Sequence, residues 1–152
     1  MSNYQQLFDE SYDRVVGRGI GLTAKGEQFF HRFYKHFFER SDEIKNKFKD
    51  TDMESQARIL QKSMYHMISF YVLNTEHDYL KRIAESHARS NYDIKPEYYD
   101  HWIEALILTV GELDPQFNRE TELAWRLAVT PGILYMKAQY EDKDFPPPSR
   151  LD

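Results

Sequence analysis

Between Tyr79 and Val110 the chain carries two amphipathic helical patterns separated by a short polar break. Leu80, Ile83, Ala84 and His87 stand at i, i+3, i+4 and i+7, one face of a helix, so a histidine closes an apolar stripe that should face the core. Ser90-Asn91-Tyr92-Asp93 interrupts the pattern, and Lys95-Pro96-Glu97 starts the next helix with proline at its first position, where a missing N–H costs no hydrogen bond. The second helix directs Tyr98, Tyr99, Trp102, Ile103, Leu106 and Val110 inward. On spacing alone, the ordinary reading of His87 is a satisfied core histidine.

Helical spacing continues on both sides. Tyr4, Leu7, Phe8, Tyr12 and Val15 define a first helix that Gly17, Gly19 and Gly21 end. Thr23 suits the N-cap of the next, whose inner face is Phe29, Phe30, Phe33, Tyr34, Phe37 and Phe38. Ser41-Asp42-Glu43 caps a short turn of helix reaching Phe48, and Lys49-Asp50-Thr51-Asp52 is a polar connector. From about Met53 to Leu73 runs a long helix with Leu60, Met64, Met67, Ile68 and Tyr71 inward, and Asn74-Thr75-Glu76-His77-Asp78 turns the chain. Beyond Val110, Asp114-Pro115 marks a loop, and Asn118 caps a last helix with Glu120 and Glu122 in its first turn. Pro131-Gly132 should kink that helix. No alternating stretch of strand length occurs, so the fold class is all-α. The expected domain is 1–141, followed by a mobile tail at 142–152 around Phe145-Pro146-Pro147-Pro148-Ser149.

Composition narrows the function. A chain of 152 residues can bury a core without staples, and the absence of cysteine excludes disulfides, thiolate metal sites and cysteine nucleophiles. A net charge of -5 speaks against nucleic acid and acidic membranes as partners. The N-terminus lacks a signal-peptide pattern and no apolar run approaches a membrane span, so a soluble, cytoplasmic protein is expected. Aromatic residues reach 15%, with ten Phe and eleven Tyr, which suits helices packed around a flat, bulky buried object. No Gly-rich phosphate loop, HExxH pair or nucleophile motif is present.

Taken in order, the aromatic helix with Phe33-Tyr34, then Phe48, the long helix, His87 and the Ile94-Lys95-Pro96-Glu97 helix start resemble a globin. The likeness is to bacterial globins, in particular the haem domain of flavohaemoglobins, related single-domain haemoglobins and sensor globins. It runs from about Leu22 to Leu134 and is strongest in FYKHFFERSDEIKNKF and IAESHARSNYDIKPEYYDHWIEAL. The resemblance implies a three-over-three helical sandwich holding haem b (iron protoporphyrin IX). It makes His87 the proximal iron ligand, Phe48 the aromatic wedged against the haem face, and Tyr34 the distal hydrogen-bond donor. Gln56 and Leu60 match the distal glutamine and leucine, with Gln61 as the alternative if the register slips. Tyr99 matches a tyrosine that helps orient the proximal histidine, whereas the last-helix glutamate expected to assist it is Ala138 here. His31, His36, His66, His77 and His101 read as surface or packing residues.

The resemblance also implies a function: reversible binding of dioxygen and other diatomic gases such as nitric oxide and carbon monoxide, with slow dioxygen release. Nitric oxide dioxygenase activity would need an external reductase, since no flavin or nicotinamide domain follows. The alternatives are a gas or redox sensor acting on a partner in trans and a haem-free interaction module. The chain is expected to be a monomer or homodimer.

Overall fold

Helices begin where the sequence offers an oxygen to otherwise unpaired N–H groups. Asn3 accepts from Gln6 N (3.0 Å) and opens α1, Tyr4–Val15. Thr23 accepts from Gly26 N (3.1 Å) and opens α2, Ala24–Arg40, while Ser41 accepts from Ile44 N (3.2 Å) and opens α3, Asp42–Lys47. Asp52 takes the Glu54 N–H (3.1 Å) ahead of α4, Met53–Leu73. Helix α5 spans Asp78–His87, α6 spans Pro96–Leu113 with proline in its first turn, and Asn118 accepts from Thr121 N (2.9 Å) at the start of α7, Arg119–Gln139. Each such cap contributes about 1 kcal/mol, and those of Thr23, Ser41 and Asn118 fall where the sequence predicts them. The structure is a computed structural model describing residues 3–17, 21, 23–73, 78–88 and 92–140. The expected tail at 142–152, His77 and most of its turn, Gly19, and Ser90-Asn91 of the polar break lie outside the described residues.

No strand occurs among the described residues, and the helices form a three-over-three sandwich. Helix α2 packs along α6, while α7 receives α1, α4 and α5. The aromatic face of α2 runs through the core. Phe29 meets Trp125 of α7 (ring centroids 6.1 Å), Trp125 also takes Phe8 of α1 edge-on (4.8 Å), and Phe33 meets Trp102 of α6 edge-on (5.7 Å). The Trp125 indole N–H donates to Ser11 Oγ (2.8 Å), so the ring's polar end is satisfied inside the core. Ile68, Tyr71, Trp102 and Ile103, expected inward, are only partly buried at the edge of this core.

Helix α7 continues through Pro131, where the sequence pattern predicts a kink. Proline leaves the Leu127 carbonyl without its helical donor, yet Leu127 is exposed, so water can serve it. The next residue lies directly against α4. A Cβ on Gly132 would lie 3.0 Å from Met67 Cγ and 3.2 Å from Met67 Cβ and Cε. Gly132→Ala is therefore expected to lower stability by on the order of 1 kcal/mol in urea denaturation. Overpacking of about 1–3 kcal/mol outweighs a helix-propensity gain of about 1 kcal/mol. An unchanged midpoint would mean that the α4–α7 contact yields without cost.

Candidate functional site

A cavity of about 810 Å³ opens among α2, α3, α4, α5, α6 and α7. That size lies within the range of about 300–1,000 Å³ usual for small-molecule and cofactor sites. Tyr34, Phe48, Gln56, Leu60, His87 and Tyr99 all line it. The six positions singled out in the sequence lie on five different segments, so only the tertiary fold brings them to one space.

His87 is held by the way α5 ends. Its carbonyl accepts from Ile94 N (3.0 Å), Ser86 O from Tyr92 N (2.9 Å) and Ala88 O from Asp93 N (3.0 Å). Asp93 takes a left-handed conformation (φ 54°), one that aspartate tolerates better than most residues, and this reversal closes the helix end over His87. Around the ring, Ser86 Oγ lies 3.0 Å from His87 Nδ1 and itself donates to the Ile83 carbonyl (2.8 Å). That carbonyl also accepts from the imidazole. With acceptors on this side, the proton sits on Nδ1 and Nε2 keeps a free lone pair. Burial lowers the imidazole pKa to about 4, opposed only in part by the Ile83 carbonyl, so the ring is neutral near pH 7. A metal needs this protonation state in an imidazole ligand.

Tyr34 and Gln56 form a second polar pair in the cavity. Burial raises the Tyr34 pKa, and a hydrogen bond from the Gln56 side chain, which favours the anion, works against that shift. The phenol stays protonated, and an amide N–H given to its oxygen leaves its own hydrogen to donate. Gln61, the register alternative, points elsewhere and donates to the Gly21 carbonyl (3.4 Å). Phe48 packs on Tyr34 (5.9 Å), Phe38 (5.3 Å) and Phe37 (6.3 Å), making an aromatic wall. Tyr99 is buried, which raises its pKa, with Tyr140 nearby adding to the effect. The Tyr140 hydroxyl donates to the Asp93 carboxylate, joining α7 to the loop that closes α5. Ala138 is exposed and faces away from this cluster.

Several features were not legible from spacing. Lys47, Lys62 and Arg82 put three cations on the cavity lining. Lys62 Nζ sits 4.6 Å from the centre of the Tyr79 ring, and Lys47 donates to the Tyr92 carbonyl (3.3 Å). Met67, Ile133 and Met136 supply an apolar wall. Glu85, fully buried two residues before His87, falls off the apolar stripe and reads as a solvated charge in the sequence. Among the described residues, His31 is exposed and His36, His66 and His101 are half-buried away from the cavity lining. His36 contacts Glu112 (2.5 Å), His66 stacks on Tyr79 (4.3 Å), and His101 accepts from Arg40 (3.1 Å).

Among the described residues no group of three or more His, Asp or Glu side chains could hold a metal ion. A lone imidazole is a poor site for a free ion but suits a metal whose remaining ligands arrive with a flat cofactor. The aromatic and apolar walls fit such a group, and the three cations fit carboxylates on its edge.

Comparison with known proteins places this arrangement. A family model for globins matches residues 31–133. Among solved structures, the chain is similar to protein PA3967 of Pseudomonas aeruginosa PAO1, whose crystal structure is described as structurally highly homologous to a human haemoglobin. Identity is 31%, the TM-score is 0.81, and the match covers 92% of this chain and 100% of that one. No curated protein matches the chain.

Proposed function

This chain belongs to the globin family, and from that premise we propose that it holds haem b on His87 and reversibly binds diatomic gases beside Tyr34 and Gln56. Family membership implies a haem- and gas-binding function; the residue roles rest on the cavity. The observation that carries them is that His87, with Ser86 Oγ 3.0 Å from its Nδ1, lines the same cavity as the Tyr34–Gln56 pair. When bound, haem would supply the iron that takes up the gas. The chain's own residues do the rest. His87 Nε2 offers the ligating lone pair, and the Ile83 carbonyl and Ser86 fix its tautomer. Phe48, Leu60 and Tyr99 would pack against the ring, and Lys47, Lys62 and Arg82 would neutralise its propionates. Tyr34 donates a hydrogen bond to a polarised gas, and Gln56 orients that donor.

Such a donor favours dioxygen over carbon monoxide, because the gas that draws more negative charge gains more from the bond. A hydrogen bond to a charged group contributes about 1.5–3 kcal/mol. Tyr34→Phe is therefore expected to speed dioxygen release about 10- to 100-fold while changing carbon monoxide release much less, as read by stopped-flow ligand replacement. Equal effects on both gases would remove the donor role. Slow release suits chemistry on dioxygen, and nitric oxide detoxification with a separate reductase is the activity this pocket supports best. Mixing the dioxygen-loaded protein with nitric oxide should then yield nitrate. Gas binding without nitrate formation would favour a sensor acting on a partner in trans. Among the described residues, no helix is long and apolar enough to cross a membrane.

A further inference from the structure

Two of the five methionines stand in the cavity wall, one on each of two helices packed together. Met67 of α4 and Met136 of α7 both line the cavity, and each keeps a small exposed remainder, 7% and 6% of its surface. Met64, one turn earlier on α4, is fully buried and lies outside the lining. Met53 is half-buried at the start of α4, also away from the cavity. Among the described residues, the fold thus sorts four thioethers by access and leaves two of them facing whatever small molecule enters this space.

Met67 also forms the joint between the helices. A Cβ on Gly132 would lie 3.0 Å from its Cγ and 3.2 Å from its Cε, so both carbons bonded to the sulfur rest against α7. Met136 follows Gly132 by four residues, on the same face of α7, and Ile133 completes that apolar wall. A thioether suits such a place because it is apolar and adaptable. In a chain without cysteine, however, the methionine sulfurs are where a two-electron oxidant acts first.

We propose that Met67 and Met136 are sites of oxidation by a small peroxide entering the cavity, and that their sulfoxides loosen α4 from α7. In this step a sulfur lone pair attacks one oxygen of hydrogen peroxide and the O–O bond breaks. The other oxygen leaves as water, carrying both hydrogens. Sulfur gives up two electrons, the peroxide takes them, and no further reactant is needed. The product carries a strong hydrogen-bond acceptor. Kept at the apolar joint, that oxygen lacks a donor, which costs free energy. Turned toward water in the cavity, it draws the side chain off Gly132. Either way the α4–α7 contact weakens, and methionine sulfoxide is a form that cellular reductases convert back.

Exposure of the purified full chain to dilute hydrogen peroxide, followed over time by peptide mass spectrometry, tests the proposal. Met67 and Met136 are each expected to gain one oxygen at least about tenfold faster than Met64, whose reaction waits for local unfolding. The oxidised chain should then unfold at a lower urea concentration than the untreated one. Met67→Leu combined with Met136→Leu keeps the apolar volume without a sulfur to oxidise, so this variant should fold and its urea midpoint should not follow peroxide treatment. Neither measurement requires haem, so a chain that binds none would leave both expectations in force. Met67 and Met136 reacting as slowly as Met64 would overturn the proposal. So would a midpoint unmoved by their oxidation, or a double variant that peroxide destabilises as much as the wild type.

Discussion

Asp114→Ala is expected to lower folding stability by about 3 kcal/mol, measurable by urea denaturation at neutral pH. The carboxylate is buried between α6 and α7 and receives Ser11 Oγ (2.6 Å), Arg14 Nε (2.7 Å), Arg14 Nη2 (3.0 Å) and the Gln116 N–H (2.9 Å). Since Ser11 also accepts from Trp125, removing Asp114 disturbs the joint of α1, α6 and α7 at once. The figure sits at the lower end for a broken buried pair because the Arg14 side chain keeps 24% of its surface exposed. Burial alone would raise the Asp114 pKa, but Arg14, Ser11 and the Gln116 N–H outweigh it and hold the carboxyl below its ordinary range. A depressed carboxylate stabilises the fold fully above its unfolded pKa of about 4 and loses that contribution as pH falls through the lower native value. The gap between wild type and Asp114→Ala should accordingly narrow in acid. A gap that stays constant with pH would contradict the ionic role.

His87→Ala is expected to weaken haem binding by at least about 100-fold, since loss of even the groups that orient a metal ligand costs about 10- to 100-fold. The effect should not be an unfolding effect. The imidazole lines the cavity, and the loop closing α5 is held by backbone hydrogen bonds that alanine retains. Helicity and the urea midpoint of the haem-free protein should therefore stay close to wild type. Added imidazole should restore part of the binding by filling the space the side chain leaves. Undiminished haem uptake by His87→Ala would move the ligand to another residue.

The helices were legible because each carries its own local signals. Thr23, Ser41 and Asn118 cap where the sequence places them, and Pro96 starts α6. His87 was legible as an inward residue from its stripe, but its tautomer was not, because the Ile83 carbonyl and Ser86 act through the geometry of a single turn. The choice between Gln56 and Gln61 needed the rotation of α4 about its axis, which periodicity fixes only loosely. Lys47, Lys62 and Arg82 carried no signal in the sequence, since nothing local shows that three separate elements bring them to one cavity. Asp114 looked like a loop residue for the same reason: its partners Ser11 and Arg14 lie about a hundred positions away. Pro131, where the local rule predicts a kink, lies inside α7.

Titration of the purified chain with haem, followed by absorption spectroscopy of the ferric, ferrous and carbon monoxide forms, tests most directly that the cavity is a haem site ligated by His87. The expected result is saturation at one haem per chain, with a ferrous spectrum typical of histidine ligation that shifts fully on addition of carbon monoxide. A chain that takes up no haem, or binds it without a defined stoichiometry, would contradict the site and leave only the helical fold.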